Sequence, residues 1–260
     1  MLAAKVYRPR KLRNLRNDAL YREGRPDVDG DGKVLQDDGM LHAMRKKTRY
    51  GAELLHTSWI GHEYSTLQDL HAASADVPRP FASDSNAILM DYIGDETMAA
   101  QPLITVSLEP DEVKPLFERS MRNIEIMLAH GSIHGDLSAY NILYWDGEIT
   151  LIDFPQAINP SENRSAYRIF ERDIVRVCEY FARQGNKTGI WERVLRISEK
   201  SPARSPLQPH RLAADLWTAY RYKLEPELDP AILNDEDEQD VAMWKASHSG
   251  GSITTGLVKS

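Results

Sequence analysis

Residues 134–141 read HGDLSAYN, and the chain continues through ILYW (142–145), the pair Asp146-Gly147, EITLI (148–152) and DFPQA (153–157). Short apolar runs flank Asp146-Gly147, a dipeptide that strongly signals a two-residue hairpin turn. Two strands are therefore expected to return Asp153 toward Asn141. Asp136 and Asn141 stand five positions apart in the preceding loop, and Asp153 follows twelve residues later. A carboxylate and an amide carbonyl are hard oxygen donors suited to a metal that bridges phosphate oxygens, while a further carboxylate can face an attacking hydroxyl. Any one of the three could merely cap a turn or end a strand. All three together, with an apolar strand on each side of the turn, point to metal-assisted phosphoryl transfer, Asp136 facing the nucleophile.

Upstream, SLEPDEVKPLFERSMRNIEIMLAHG (107–131) has Pro110 and acidic residues at its start and Gly131 at its end, the punctuation of a helix. From Tyr50 to Ala73, apolar residues recur at helical spacing (Leu54, Leu55, Trp59, Ile60, Leu67, Leu70), predicting an amphipathic helix that carries Glu63. Val77-Pro78 predicts a turn, and Ala87–Tyr92 a buried strand closed by Gly94. Ala3–Tyr7 is a short β-prone stretch ending before Pro9 and the basic segment KLRNLRND. Gly24–Gly39, rich in Gly and Asp, suits a mobile surface loop. Downstream, helices are expected over 166–185, around 190–200 and over 212–224, followed by a solvated tail.

The 260 residues carry a formal charge of -7, which argues against broad attraction to nucleic-acid backbones. No apolar run is long enough to span a bilayer, and the opening MLAAKVYRPRK lacks a secretory core. The lone Cys178 falls in the apolar pattern of a helix and cannot pair internally. A soluble protein of the reducing cytoplasm, without membrane attachment, is expected.

HGDLSAYNILY followed by LIDFPQA resembles the catalytic and metal-binding loops of the RIO family of atypical serine protein kinases and ATPases. AAKVYRP resembles that family's strand with the ATP-binding lysine, SWIGHEYSTLQDL its lysine-pairing helix, and ILMDYIG its linker between lobes, so the likeness covers roughly Ala3 to Gly185. The resemblance implies an α+β, bilobal protein-kinase-like fold. Its parts would be a truncated N-lobe at 1–93 with a flexible loop at about 24–39, a C-lobe at 94–225, and a flexible tail at 226–260. It makes Lys5 the phosphate-binding lysine, Glu63 its ion-pair partner, Asp136 the catalytic base, and Asn141 and Asp153 the metal ligands. Asp91 and Ile93 would offer backbone groups to adenine, Asp173 would accept backbone hydrogen bonds from the catalytic loop, and His134 would pack behind that loop. ATP with Mg2+ or Mn2+ is the implied cofactor set. An unidentified protein substrate, serine autophosphorylation, slow ATP hydrolysis, a phospho-aspartate at Asp153 and a ribosome-related partner are also implied.

Several features depart from the family pattern. Its lysine strand follows two strands joined by a phosphate-covering loop, whereas Lys5 is the fifth residue here. Lacking that cover, the chain should hold nucleotide less well, and a start codon placed too late is expected rather than genuine truncation. Pro155 replaces the glycine of typical kinase metal loops, which predicts a stiffer loop. Gly135 stands where many protein kinases carry arginine, so no phosphate-switched activation loop is expected. Asp27, Asp29, Asp31, Gly32 and Asp38 approximate a calcium loop, although a flexible insertion is the preferred reading. Two alternative functions stand beside the RIO reading. One is a small-molecule kinase of the aminoglycoside or choline type, which shares HGDL and the Asn and Asp. The other is a nucleotide-binding pseudokinase module.

Overall fold

The computed structural model describes residues 1–8, 18–46, 48–188 and 205–224. The helix expected around 190–200, the tail from 226 onward and most of the basic segment after Pro9 lie outside the described residues. Met1–Tyr220 form one compact unit, and a second begins at Arg221, its described part being the last turn of a helix.

The first sheet is antiparallel, with β1 (Leu2–Val6) and β2 (Pro80–Asp84) on either side of β3 (Ala87–Asp91). β3 alternates half-buried and buried residues, placing Ile88 and Met90 on the core face, and its register sets Lys5 opposite Ile88. β2 escapes the sequence pattern because Pro78 and Pro80 break its start and a bulge interrupts its pairing between Pro80 and Ala82.

A short α1 (Asp18–Arg22) precedes α2 (Asp38–Arg45), whose N-cap Asp37 accepts the Met40 N–H. α3 (Arg49–Ala72) is the predicted long helix, started by Thr48, which caps Gly51 N–H. Ile60, Tyr64, Leu67 and Leu70 bury its apolar stripe in the core shared with Ile88 and Met90. The 24–39 segment is not an open loop. Val28 and Val34 form a bridge, Val28 is buried, and its N–H donates to Ser58 Oγ on α3 at 2.9 Å. A Cβ on Gly61 would stand 1.9 Å from the Asp29 carbonyl oxygen, so this glycine lets the segment lie directly on the helix. Its acidic side chains are engaged locally: Asp27 pairs with Arg22, and Asp29 Oδ1 accepts the N–H groups of Asp31 and Lys33.

The second sheet has order β4 (Gln101–Pro102), β5 (Ile142–Trp145), β6 (Glu148–Leu151). Asp146 and Gly147, with φ of 49° and 78°, supply the left-handed turn that the dipeptide announced. α4 (Val113–Ala129) and α5 (Ala166–Thr188) pack together, with Phe117 and Phe181 edge to face at 5.5 Å. Asp76 links the end of α3 to this layer: its carboxylate takes a two-pronged contact from Arg119 of α4 and a hydrogen bond from Asn123. The last helix among the described residues, α6 (Pro209–Leu224), follows the 205–208 turn.

Candidate active site

Hairpin closure brings the ends of β5 and β6 together, and the Ile152 N–H donates to the Asn141 carbonyl at 3.0 Å. Asp153 follows with a positive φ of 72°, a strained conformation for a non-glycine residue that persists only where its surroundings fix it. Two partners do so here. Lys5 Nζ from β1 lies 2.5 Å from Asp153 Oδ1 and 2.5 Å from Glu63 Oε1. The next N–H, of Phe154, donates to Glu63 Oε1 at 3.1 Å. Glu63 is only 1% exposed, and its other oxygen accepts the Tyr7 hydroxyl at 2.6 Å. A buried carboxylate requires such saturation, because burial of an unpaired charge is costly. Burial works against the Lys5 charge, but Glu63 and Asp153 outweigh it and hold the ammonium pKa above its usual value.

The 134–141 loop is held from behind. Asp173 on α5, 3% exposed, accepts the Gly135 N–H at 2.8 Å, and burial pushes its pKa up to about 6 against the opposing pull of Arg172 and the loop N–H groups. Arg172 in turn donates to the Gly135 carbonyl. Gly135 has φ 82°, and a Cβ there would lie 2.1 Å from the Gln156 carbonyl oxygen, so the 134–141 and 153–157 loops touch backbone to backbone. His134 is buried, its ring 4.6 Å from that of Phe154. Its Nε2 donates to the Ile152 carbonyl at 3.0 Å and its Nδ1 accepts the Asp136 N–H at 3.3 Å, partners that define a neutral tautomer. Burial lowers its pKa to about 4.

Asn141 Nδ2 donates to the Asp136 backbone carbonyl at 2.9 Å, so its Oδ1 is the atom of the amide that could face a cation. The side chain of Asp136 is 45% exposed and is paired with Arg176 of α5 at 2.7 Å. Asp91 and Ile93 flank the end of β3: the Asp91 N–H donates to the Arg79 carbonyl, and the Ile93 carbonyl accepts the Ala100 N–H.

Sequence reasoning did not single out Tyr7, Arg25, His62, Arg172 or Arg176. Arg176 carried a readable signal, since it stands one helical turn after Asp173 and so shares its face. Arg25 carried none. Its guanidinium donates to the carbonyls of Pro155 and Ala157 at 2.9 and 2.8 Å, and His62 Nε2 meets the same Ala157 carbonyl at 3.0 Å. The back of the 153–157 loop is thereby tied to α3 and to the segment packed on it.

Residues 32–193 match the sequence model of the RIO domain. Among curated relatives, the Rio1 RIO-type serine/threonine-protein kinase of Haloferax volcanii is 32% identical over 129 residues, 49% of this chain and 43% of that protein. Rio1 of Methanocaldococcus jannaschii is 28% identical over 183 residues, 70% of this chain and 60% of that protein. The chain thus spans less than two thirds of the length of either. Among solved structures, the Rio2 kinase of Chaetomium thermophilum in its ADP/Mg2+-phosphoaspartate complex aligns with 88% of this chain and 63% of its own, at TM-score 0.41 and 19% identity. The domain match covers more than half of the residues, and the chain belongs to the RIO domain family.

Proposed function

We propose that this chain binds ATP with a divalent metal and transfers the γ-phosphoryl group to a serine hydroxyl, or to water, as a RIO-type kinase and ATPase. One observation carries the reading: Lys5, Glu63 and Asp153, from three distant stretches of sequence, meet in a single ion network. That network leads straight into the hairpin that follows Asp136 and Asn141.

Lys5 would meet the nonbridging phosphate oxygens, with Glu63 fixing its position. The turn after β3 already uses the Asp91 N–H and the Ile93 carbonyl, and adenine would take the other member of each pair, the Asp91 carbonyl and the Ile93 N–H. Asn141 Oδ1 and an Asp153 carboxylate oxygen are hard donors that fit Mg2+ or Mn2+. Among the described residues no group of three or more His, Cys, Asp or Glu is placed to hold a metal. Two protein donors suit an ion that takes its remaining ligands from phosphate and water, as Mg2+ commonly does. When bound, the ion would neutralise charge on the phosphate oxygens. In the transfer, the acceptor oxygen bonds to the γ-phosphorus as the bond to the β–γ bridging oxygen breaks; ADP leaves, and Asp136 takes the acceptor proton.

The 1–93 segment, containing the first sheet and α3, would act as the nucleotide-side lobe, and 94–225 would carry the catalytic and metal loops. A cytoplasmic setting suits Cys178, which is buried with its thiol pushed up to about 12 by burial and the nearby Glu179 charge. Among the described residues no helix is long and apolar enough to cross a membrane. Ribosome-related partners and autophosphorylation belong to the same reading by family likeness.

Calorimetric titration with ATP and magnesium tests the reading. Saturable binding that disappears in Asp153→Ala is expected, and unchanged binding in that variant would refute the assignment. The Arg176–Asp136 ion pair favours a second reading, a nucleotide-binding switch whose Asp136 is masked. Binding with no measurable ADP release would select it.

A further inference from the structure

A cavity of ≈ 410 Å3 opens at the Asp136 carboxylate, bounded by Ile104, Tyr140, Arg176, Glu179 and Arg183. Arg176, Glu179 and Arg183 recur at helical spacing along one face of α5, while the exposed Tyr140 comes from the catalytic loop. The two arginines differ in what they hold. Arg176 Nη1 is clamped to Asp136 Oδ1 at 2.7 Å. Arg183 is exposed and has no ion-pair partner among the described residues, and Glu179, one turn before it, is not paired with it.

On the phosphoryl-transfer reading above, an acceptor hydroxyl must reach the carboxylate that Arg176 occupies. Water can reach its exposed side, but a peptide whose serine has a neutral or basic neighbour leaves that clamp closed to the serine side chain. We propose that this cavity is the acceptor subsite for a peptide serine with an anionic neighbour, and that the anion draws Arg176 away from Asp136 and is shared with Arg183. Guanidinium groups suit this exchange, because their fork pairs equally well with a carboxylate or a phosphate. Both side chains of the clamp are over two fifths exposed, so the bond is screened by water and can be traded for another of like strength. Glu179 at the rim repels a continuous polyanion and limits the subsite to a short anionic stretch. An acidic peptide therefore fits better than a nucleic-acid strand.

The test uses four fluorescein-labelled serine peptides of equal length, flanked by Asp, phosphoserine, Ala or Lys. Binding is read by anisotropy without nucleotide. The Asp or phosphoserine peptide should bind about tenfold tighter than the Ala peptide. The stronger of the two identifies which anion is read, and either order supports the subsite. In Arg183→Glu the preference should swing toward the Lys peptide, a gain that a misfolded variant could not show. Equal affinity for all four peptides, an order unchanged in Arg183→Glu, or tighter binding of a labelled oligonucleotide would overturn the proposal. Titration with ATP and magnesium is read separately. Failure there, with the peptide order intact, removes the phosphoryl-transfer reading and leaves an acidic-peptide site.

Discussion

Lys5 Nζ stands 2.5 Å from Glu63 Oε1 and 2.5 Å from Asp153 Oδ1, so one ammonium joins the first strand, the long helix and the residue that follows the hairpin. Glu63 gives this junction its energetic weight, since it is buried and its remaining contacts, with Tyr7 and Phe154, are uncharged.

Lys5→Met should accordingly cost about 2–4 kcal/mol, somewhat under the ~3–5 kcal/mol of a fully buried broken pair because the Lys5 side chain is 30% exposed. Urea midpoints measure this. Lys5→Met with Glu63→Gln should lose less than the sum of the two single variants, because the carboxylate left stranded by the first is neutralised by the second. Strict additivity would show that the two side chains do not act as a pair.

Asp173 supports the 134–141 loop from behind by accepting the Gly135 N–H. Asp173→Ala leaves that buried N–H and the neighbouring Arg172 short of an acceptor, and about 2–4 kcal/mol of stability should be lost. Asp173→Asn keeps an acceptor oxygen and should lose clearly less. Thermal unfolding of the two variants side by side decides whether the acceptor or the negative charge is what the loop needs.

Two histidines, the buried His134 and the half-buried His62, predict an acid limit. His62 is lowered to about 3, chiefly by burial and then by the Arg25 charge, and His134 to about 4 by burial. In both cases the unfolded chain binds the proton more readily. Their contribution is fully present above the unfolded value near 6.5 and falls as pH drops from there toward 4, by on the order of 2–3 kcal/mol each. Asp173, raised to about 6, works in the opposite sense, since its folded form takes up a proton first and gains stability as pH falls through 6. The two histidines outweigh it, so the denaturation midpoint should be lower at pH 5 than at pH 7. His62→Gln should flatten that difference. A midpoint that does not change between the two values would contradict the burial assigned to these rings.

α3, α4 and the β5–β6 hairpin were legible because their signals are local: helical spacing from Leu54 to Leu70, an acidic start with Gly131 at the end, and Asp-Gly between two apolar runs. α2 was hidden, since Gly39 in its first turn and the Asp-rich run before it read as loop. β2 was masked by its prolines, and β4 is two residues long, too short for any period to show. At the site, the residue types and their order in the chain were readable, and the family likeness supplied the Lys5–Glu63 pair and the Asp173 contact with the 134–141 loop, but the contacts of Arg25 and Arg176 were not readable. Arg25 reaches the metal loop across 130 residues and Arg176 reaches Asp136 across 40, and no periodicity reports such pairings. The Asp-rich 24–39 segment read as a solvated loop for a related reason. Val28, Ser58 and Gly61 together seat it on α3, and none of the three is distinctive alone.

ADP release from ATP by the purified chain is the test of metal-dependent phosphoryl transfer at Asp136. With magnesium, ADP should accumulate, EDTA should abolish the accumulation, and Asp136→Asn should reduce it by about a hundredfold or more. Turnover that continues unchanged in Asp136→Asn, or that is indifferent to EDTA, would contradict it.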